Sequence, residues 1–105
     1  MERKTDTTLK EFAKKVKAHY KDAEVFLFGS RAKNDYLEHS DYDVIIVSKG
    51  FEGTNFFSRP EKIYDCWSDS SSLDVFCYTP EEFNKKKNEI GFVSEAMKKA
   101  KPIAA

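Results

Sequence analysis

The chain has 105 residues, 40% of them hydrophobic and 34% charged, with 18 basic side chains balanced by 18 acidic ones. That length supports one modest core and a single domain over residues 1–105, and nine Phe, five Tyr and one Trp argue against disorder. The longest apolar runs, residues 25–28 and 44–47, are four residues each, far short of the ~20 that cross a bilayer, so no membrane association is expected.

In chain order, Met1 to Asp6 leads into no apolar export segment. Thr8-Leu9-Lys10-Glu11 has the form of a capping box and predicts a helix opening at about residue 9. Leu9, Phe12, Ala13, Val16 and Tyr20 recur at three- and four-residue steps and form its apolar face, with His19 on or near that face as a packing residue. Lys10, Lys14, Lys15, Lys17 and Lys21 occupy the solvated side. Residues 25–28 read as a short buried strand ended by Gly29-Ser30, residues 30 to about 37 as a short helix, and residues 41–47 as a second strand. Val44 to Val47 is apolar on both faces, which places that strand centrally in a sheet.

Residues 48–60 read as a loop broken by Gly50, Gly53, Asn55 and Pro60. Its Phe51, Phe56 and Phe57 form either a satellite cluster beneath the loop or a patch for a partner. Pro60 opens a short helix over 61–67, residues 73–78 make a third strand, and Thr79-Pro80-Glu81-Glu82 is a second capping box with Pro at the first helical position. Ile90, Phe92, Val93, Ala96 and Met97 continue or follow that helix as an amphipathic stretch. Alternating helices and strands give an α/β (α+β) class, a small mixed sheet flanked by helices. Cys66 and Cys77 form no C-x-x-C or zinc-type cluster and read as reduced, structural thiols of a cytoplasmic protein.

The charge is unevenly spread. Residues 1–22 carry seven basic and four acidic side chains, residues 80–105 six and four, and residues 23–79 five and ten. No basic footprint of a general nucleic-acid binder results; an acidic centre suits a divalent-cation site and equally a solvated face. Within it, Gly29-Ser30 is followed after ten residues by Asp41-Tyr42-Asp43. Alternation in a strand puts Asp41 and Asp43 on one side, ~7 Å apart along the backbone. Two carboxylates so placed call for a cation, and Mg²⁺ is a hard ion held by one or two carboxylates plus phosphate oxygens. Gly-Ser at a strand end offers N–H groups and a hydroxyl to a phosphate, and a glycine lets the backbone approach closely. Asp74, flanked by Leu73 and Val75 in an apolar strand, needs exposure or a partner and is the third candidate carboxylate. Gly-Ser, ten residues, then Asp-x-Asp arises by chance in roughly one chain of this length per thousand.

This spacing resembles the signature of the DNA polymerase β-like nucleotidyltransferase superfamily. The form Gly29-Ser30-Arg31-Ala32 with Ser40-Asp41-Tyr42-Asp43, then Leu73-Asp74-Val75 and Thr79-Pro80-Glu81-Glu82-Phe83, is similar to its minimal nucleotidyltransferase (MNT) members. These small proteins often serve as antitoxins paired with a helical HEPN toxin. The resemblance covers residues 8–98, with Asn34 where the family commonly has glycine. It implies that Asp41, Asp43 and Asp74 are catalytic and hold two Mg²⁺ ions. It also implies that Asp74 helps deprotonate the attacking hydroxyl, and that Gly29 and Ser30 bind the phosphates of ATP as substrate. Arg31 is a further nucleotide contact, with Lys33 its alternative. The expected reaction moves AMP from ATP to a hydroxyl of a partner protein, a HEPN toxin. An RNA or small-molecule acceptor, and a non-catalytic antitoxin that neutralises by binding alone, are the alternatives. His39 reads as solvated, and homo-oligomerisation stays open.

Overall fold

The computed structural model describes residues 4–29 and 41–103, with side chains from residue 7 onward. Helix α1 (Lys4–His19) leads into strand β1 (Glu24–Phe28), then β2 (Tyr42–Val47), helix α2 (Pro60–Tyr64), β3 (Leu73–Tyr78), α3 (Pro80–Lys87), α4 (Phe92–Met97) and a two-residue β4 (Lys101–Pro102). The strands form one mixed sheet in the order β3-β2-β1-β4. β1 runs antiparallel to β2 and to β4, whereas β2 and β3 are parallel and joined through α2. β2 is therefore central, as its doubly apolar run implies.

Each sheet face has its own core. On one side Val25, Leu27, Tyr42, Val44, Ile46, Leu73, Val75 and Cys77 pack with Leu9, Phe12, Ala13 and Val16 of α1 and with Ile63 and Phe51. On the other, Ile45, Val47 and Tyr78 pack with Phe83 of α3 and Val93 of α4, joined by Phe26, Phe28, Phe56 and Phe76. The period-2 alternation of three strands thus supplies both layers, burying the apolar surface that drives folding.

Several sequence expectations shift. α1 starts four residues before Thr8, so Thr8-x-x-Glu11 lies inside the helix; Lys4 to Thr7 hold neither Gly nor Pro to stop its propagation. His19 is exposed at the last position of α1, and Tyr20 instead packs on Phe51 with ring centroids 4.8 Å apart. The expected loop 48–60 contains two 3₁₀ turns, Lys49–Phe51 and Phe56–Ser58, and the helix after Pro60 ends at Tyr64. Ile90 is fully exposed, because it falls in the turn that separates α3 from α4. The second capping box forms as read: Thr79 Oγ1 accepts from Glu82 N at 3.2 Å while Glu82 Oε1 accepts from Thr79 N at 2.9 Å. Both cysteines are buried and free. No helix among the described residues is long and apolar enough to cross a membrane.

Candidate active site

The strand register assembles the site. On the α3/α4 face, Phe28 of β1 stands opposite Asp43 of β2, which stands opposite Asp74 of β3. One step inward the same three strands present Phe26, Ile45 and Phe76. The row at this end of the strands therefore carries two carboxylates beside Phe28, backed by a wholly apolar row that belongs to the core. The outer row is only partly covered: Asp43 is half-buried and Asp74 exposed.

Asp43 and Asp74 are paired in the parallel β2–β3 register, which puts two carboxyl groups side by side on one face of the sheet. Burial first, then the Asp74 carboxyl beside it and the charge of Asp41, push Asp43 up to about 6. A desolvated carboxylate facing two like charges favours its neutral form. Asp41 is exposed on the residue preceding β2. Among the described residues no three His, Cys, Asp or Glu side chains are gathered as a ready-made cation site; the formed unit is the Asp43–Asp74 pair, with Asp41 near enough to act on it through its charge.

Gly29 closes the site from β1. Its φ is +76°, the left-handed region that favours glycine, and a Cβ there would lie 2.5 Å from Asp43 Oδ2. The bare backbone is thus a condition for the Asp43 carboxylate to stand where it does. Ser30 and Arg31, expected to bind phosphate, lie outside the described residues, as do Lys33, Asn34, His39 and the expected helix over 30–37.

Beside Gly29 an open cleft of about 460 Å³ is lined by Phe28, Gly29, Phe92, Glu95, Ala96, Lys98 and Lys99. Its α4 wall was not legible as site: the spacing of Phe92 to Val93 and Ala96 reads as helix core, and only tertiary packing of Phe92 on Phe28 and Phe76 brings it beside Gly29. Phe28, Phe76 and Phe92 make a three-ring cluster, with centroids 5.5 Å (Phe28–Phe92), 4.7 Å (Phe76–Phe92) and 6.0 Å (Phe28–Phe76) apart.

Carboxylates that repel one another are a hard, oxygen-only donor set suited to a divalent cation such as Mg²⁺, and the residues present fit such an ion. A close-approach glycine at a strand end, a carboxylate pair facing it across the sheet and a ligand-sized cleft alongside define a site for chemistry on phosphate esters. The chain belongs to the nucleotidyltransferase domain family, whose model matches residues 9–104. The fold is also similar to the crystal structure of a Sulfolobus solfataricus protein assigned as a nucleotidyltransferase. The two are 30% identical with a TM-score of 0.62, over 76% of this chain and 71% of that one. No curated protein matches the chain. Domains of this family generally use a nucleoside triphosphate and a divalent metal.

Proposed function

We propose that this domain transfers AMP from ATP to a hydroxyl of a partner protein, with Mg²⁺, and that the transfer neutralises a HEPN-type toxin in the cytoplasm. The observation that carries the catalytic part is the Asp43–Asp74 register pair with the Asp43 carboxylate packed against the bare backbone of Gly29. Repelling carboxylates at a sheet edge weaken a fold that has no use for them, since burial of unpaired charge is unfavourable. Asp41, Asp43 and Asp74 would hold the metal, which when bound supplies positive charge to the reacting phosphate oxygens. Gly29 admits the nucleotide's phosphates against the backbone. Asp74, exposed at the outer end of the row beside Asp43, would take the proton of an incoming hydroxyl. The open side of the sheet edge suits an acceptor hydroxyl presented on a macromolecule's surface. The protein acceptor and the antitoxin role rest on the resemblance to minimal nucleotidyltransferases.

The test incubates the protein with α-labelled ATP and Mg²⁺, alone and with host lysate, beside an Asp41→Asn/Asp43→Asn double variant. A labelled protein band that disappears with the variant supports protein AMP transfer; label on RNA keeps the chemistry and replaces the acceptor. A second reading, neutralisation by binding alone, is favoured by the exposed rings and side chains of Phe57 and Ile90. It predicts that Asp41→Ala and Asp43→Ala still bind and neutralise the toxin.

A further inference from the structure

We propose that the cleft between Gly29 and α4 is the nucleoside pocket, with the ring of Phe92 stacking the base and Lys99 contacting the phosphates; this rests on the nucleotidyltransferase reading above. The cleft begins at Gly29, where the backbone is closest to the Asp43 carboxylate, so a ligand that reacts at the carboxylate row can extend directly into it. Its volume of about 460 Å³ lies within the ~300–1,000 Å³ of small-molecule sites.

Phe92 supplies the argument for a base. It leaves 48% of its surface to solvent, yet it is braced from behind by Phe28 and Phe76 at 5.5 and 4.7 Å. What sets it apart from an isolated exposed ring is that bracing, which offers a flat platform at little conformational cost. Stacking on such a ring is tolerant of base identity, which fits a pocket with an aromatic wall. Lys98 and Lys99 supply the argument for phosphates. Lys98 pairs with Glu95 at 2.9 Å on the rim, whereas Lys99 has no ion-pair partner among the described residues. Among the described residues lining the cleft its ammonium is thus the cation open to an anionic ligand. An aromatic platform, an unengaged ammonium and a close-approach glycine on one cleft match a nucleoside triphosphate better than a peptide or an apolar molecule.

Calorimetric titration of the whole chain with ATP and, separately, with inorganic tripolyphosphate, both with Mg²⁺, tests this. Phe92→Leu should weaken ATP about tenfold and leave tripolyphosphate unchanged, while Phe92→Trp keeps ATP affinity. Lys99→Gln should weaken both ligands about threefold to tenfold, and Lys86→Gln, on a lysine outside this cleft, should weaken neither. Wild-type ATP affinity in both Phe92→Leu and Lys99→Gln overturns the pocket, as does equal loss of both ligands in Phe92→Leu or no ATP binding by the wild type. Should Phe92→Leu fail to fold, Phe92→Trp and the exposed Lys99→Gln decide alone. Label transfer with unaltered ATP affinity in the variants sinks this pocket and spares the enzymatic reading. Affinity that depends on Phe92 and Lys99 without any label transfer does the reverse.

Discussion

The Asp43 carboxylate occupies the space that a β-carbon on Gly29 would fill: a Cβ there would sit 2.5 Å from Asp43 Oδ2. One residue's missing side chain sets where its cross-strand neighbour's acid group stands. Gly29→Ala should therefore combine two penalties, a strained φ of +76° and a collision with the carboxylate. Gly53 separates them, because its φ is +79° but nothing lies within 4 Å of its Cβ position. Gly53→Ala should cost about 1 kcal/mol of stability from backbone strain alone. Gly29→Ala should cost about 2 kcal/mol and lower nucleotide transfer at least tenfold. Urea unfolding of both variants beside a transfer assay checks this; equal effects of the two on transfer would refute the special role of Gly29.

Asp43 ties stability to pH in the direction opposite to most acidic residues. Its carboxyl is pushed up to about 6 from an unfolded value near 3.9. Between those values the folded state binds the extra proton, so this group's contribution to stability falls as pH rises from about 4 to about 6 and stays low above that. Because Asp43 is substantially open to solvent, the effect is of order 1 kcal/mol. Asp43→Asn removes the repulsion and should raise Tm by roughly 2–5 °C at pH 7.5, with little change near pH 4, while abolishing transfer. Mg²⁺ or Mn²⁺ should raise the wild-type Tm at pH 7.5 through preferential binding to the folded state, and raise that of Asp43→Asn much less. Thermal melts at the two pH values, with and without metal, carry both readings. A lower Tm for Asp43→Asn at pH 7.5 would contradict the repulsive pair.

What the sequence makes legible depends on the range of the interaction. Strands β1, β2 and β3 and the Thr79 capping box were legible because alternation and capping are local: two or three neighbours decide them. The same capping logic failed at Thr8, since an N-cap needs a non-helical residue and nothing upstream interrupts α1. The carboxylate candidates were legible from spacing, but the pairing of Asp43 with Asp74 depends on β2 and β3 being neighbours in a set register. So does the meeting of Gly29 with Asp43 across β1 and β2. Strand β4, two residues paired with Phe26 and Leu27, leaves no periodic trace at all. Arg59 was likewise invisible; one arginine among loop residues says nothing of its burial.

Two of the loop phenylalanines, Phe51 and Phe57, differ sharply in burial. Phe51 is 1% exposed and packs into the α1-side core, while Phe57 is 87% exposed. Phe51→Ala should cost about 3–5 kcal/mol of stability, enough to threaten folding of a chain this size. Phe57→Ala should change stability by less than about 0.5 kcal/mol. If Phe57 serves the proposed partner, the same substitution should weaken its binding, with transfer chemistry on that partner falling in parallel. Chemical denaturation of both variants, followed by pull-down with a candidate HEPN-type protein, measures each. A large stability loss in Phe57→Ala would show a packing role instead.

Arg59 and Glu82 hold the 48–60 segment to the start of α3. Arg59 is 7% exposed and donates Nε–H to Thr54 O at 2.9 Å and Nη1–H to Cys77 O at 3.2 Å. Nη1 and Nη2 also donate to the two Glu82 oxygens at 2.6 and 3.2 Å. The hydrogen bond from Arg59 is the main cause that brings Glu82 down to about 2, helped by the Thr79 backbone N–H. A lowered carboxyl contributes stability that is complete above its unfolded value near 4.3 and is lost as pH falls toward about 2. Glu82 is 40% exposed, so solvent screening limits that contribution to about 1 kcal/mol. Arg59→Ala leaves a buried carbonyl and the Glu82 carboxylate without their donor and should cost about 2–3 kcal/mol at pH 7. Glu82→Gln should cost about 1 kcal/mol at pH 7 and flatten the acid limb, so that wild type and variant converge between pH 4 and pH 2. Tm measured across pH 2 to 7 reads the convergence; parallel curves over that range would place the acid sensitivity of this fold elsewhere.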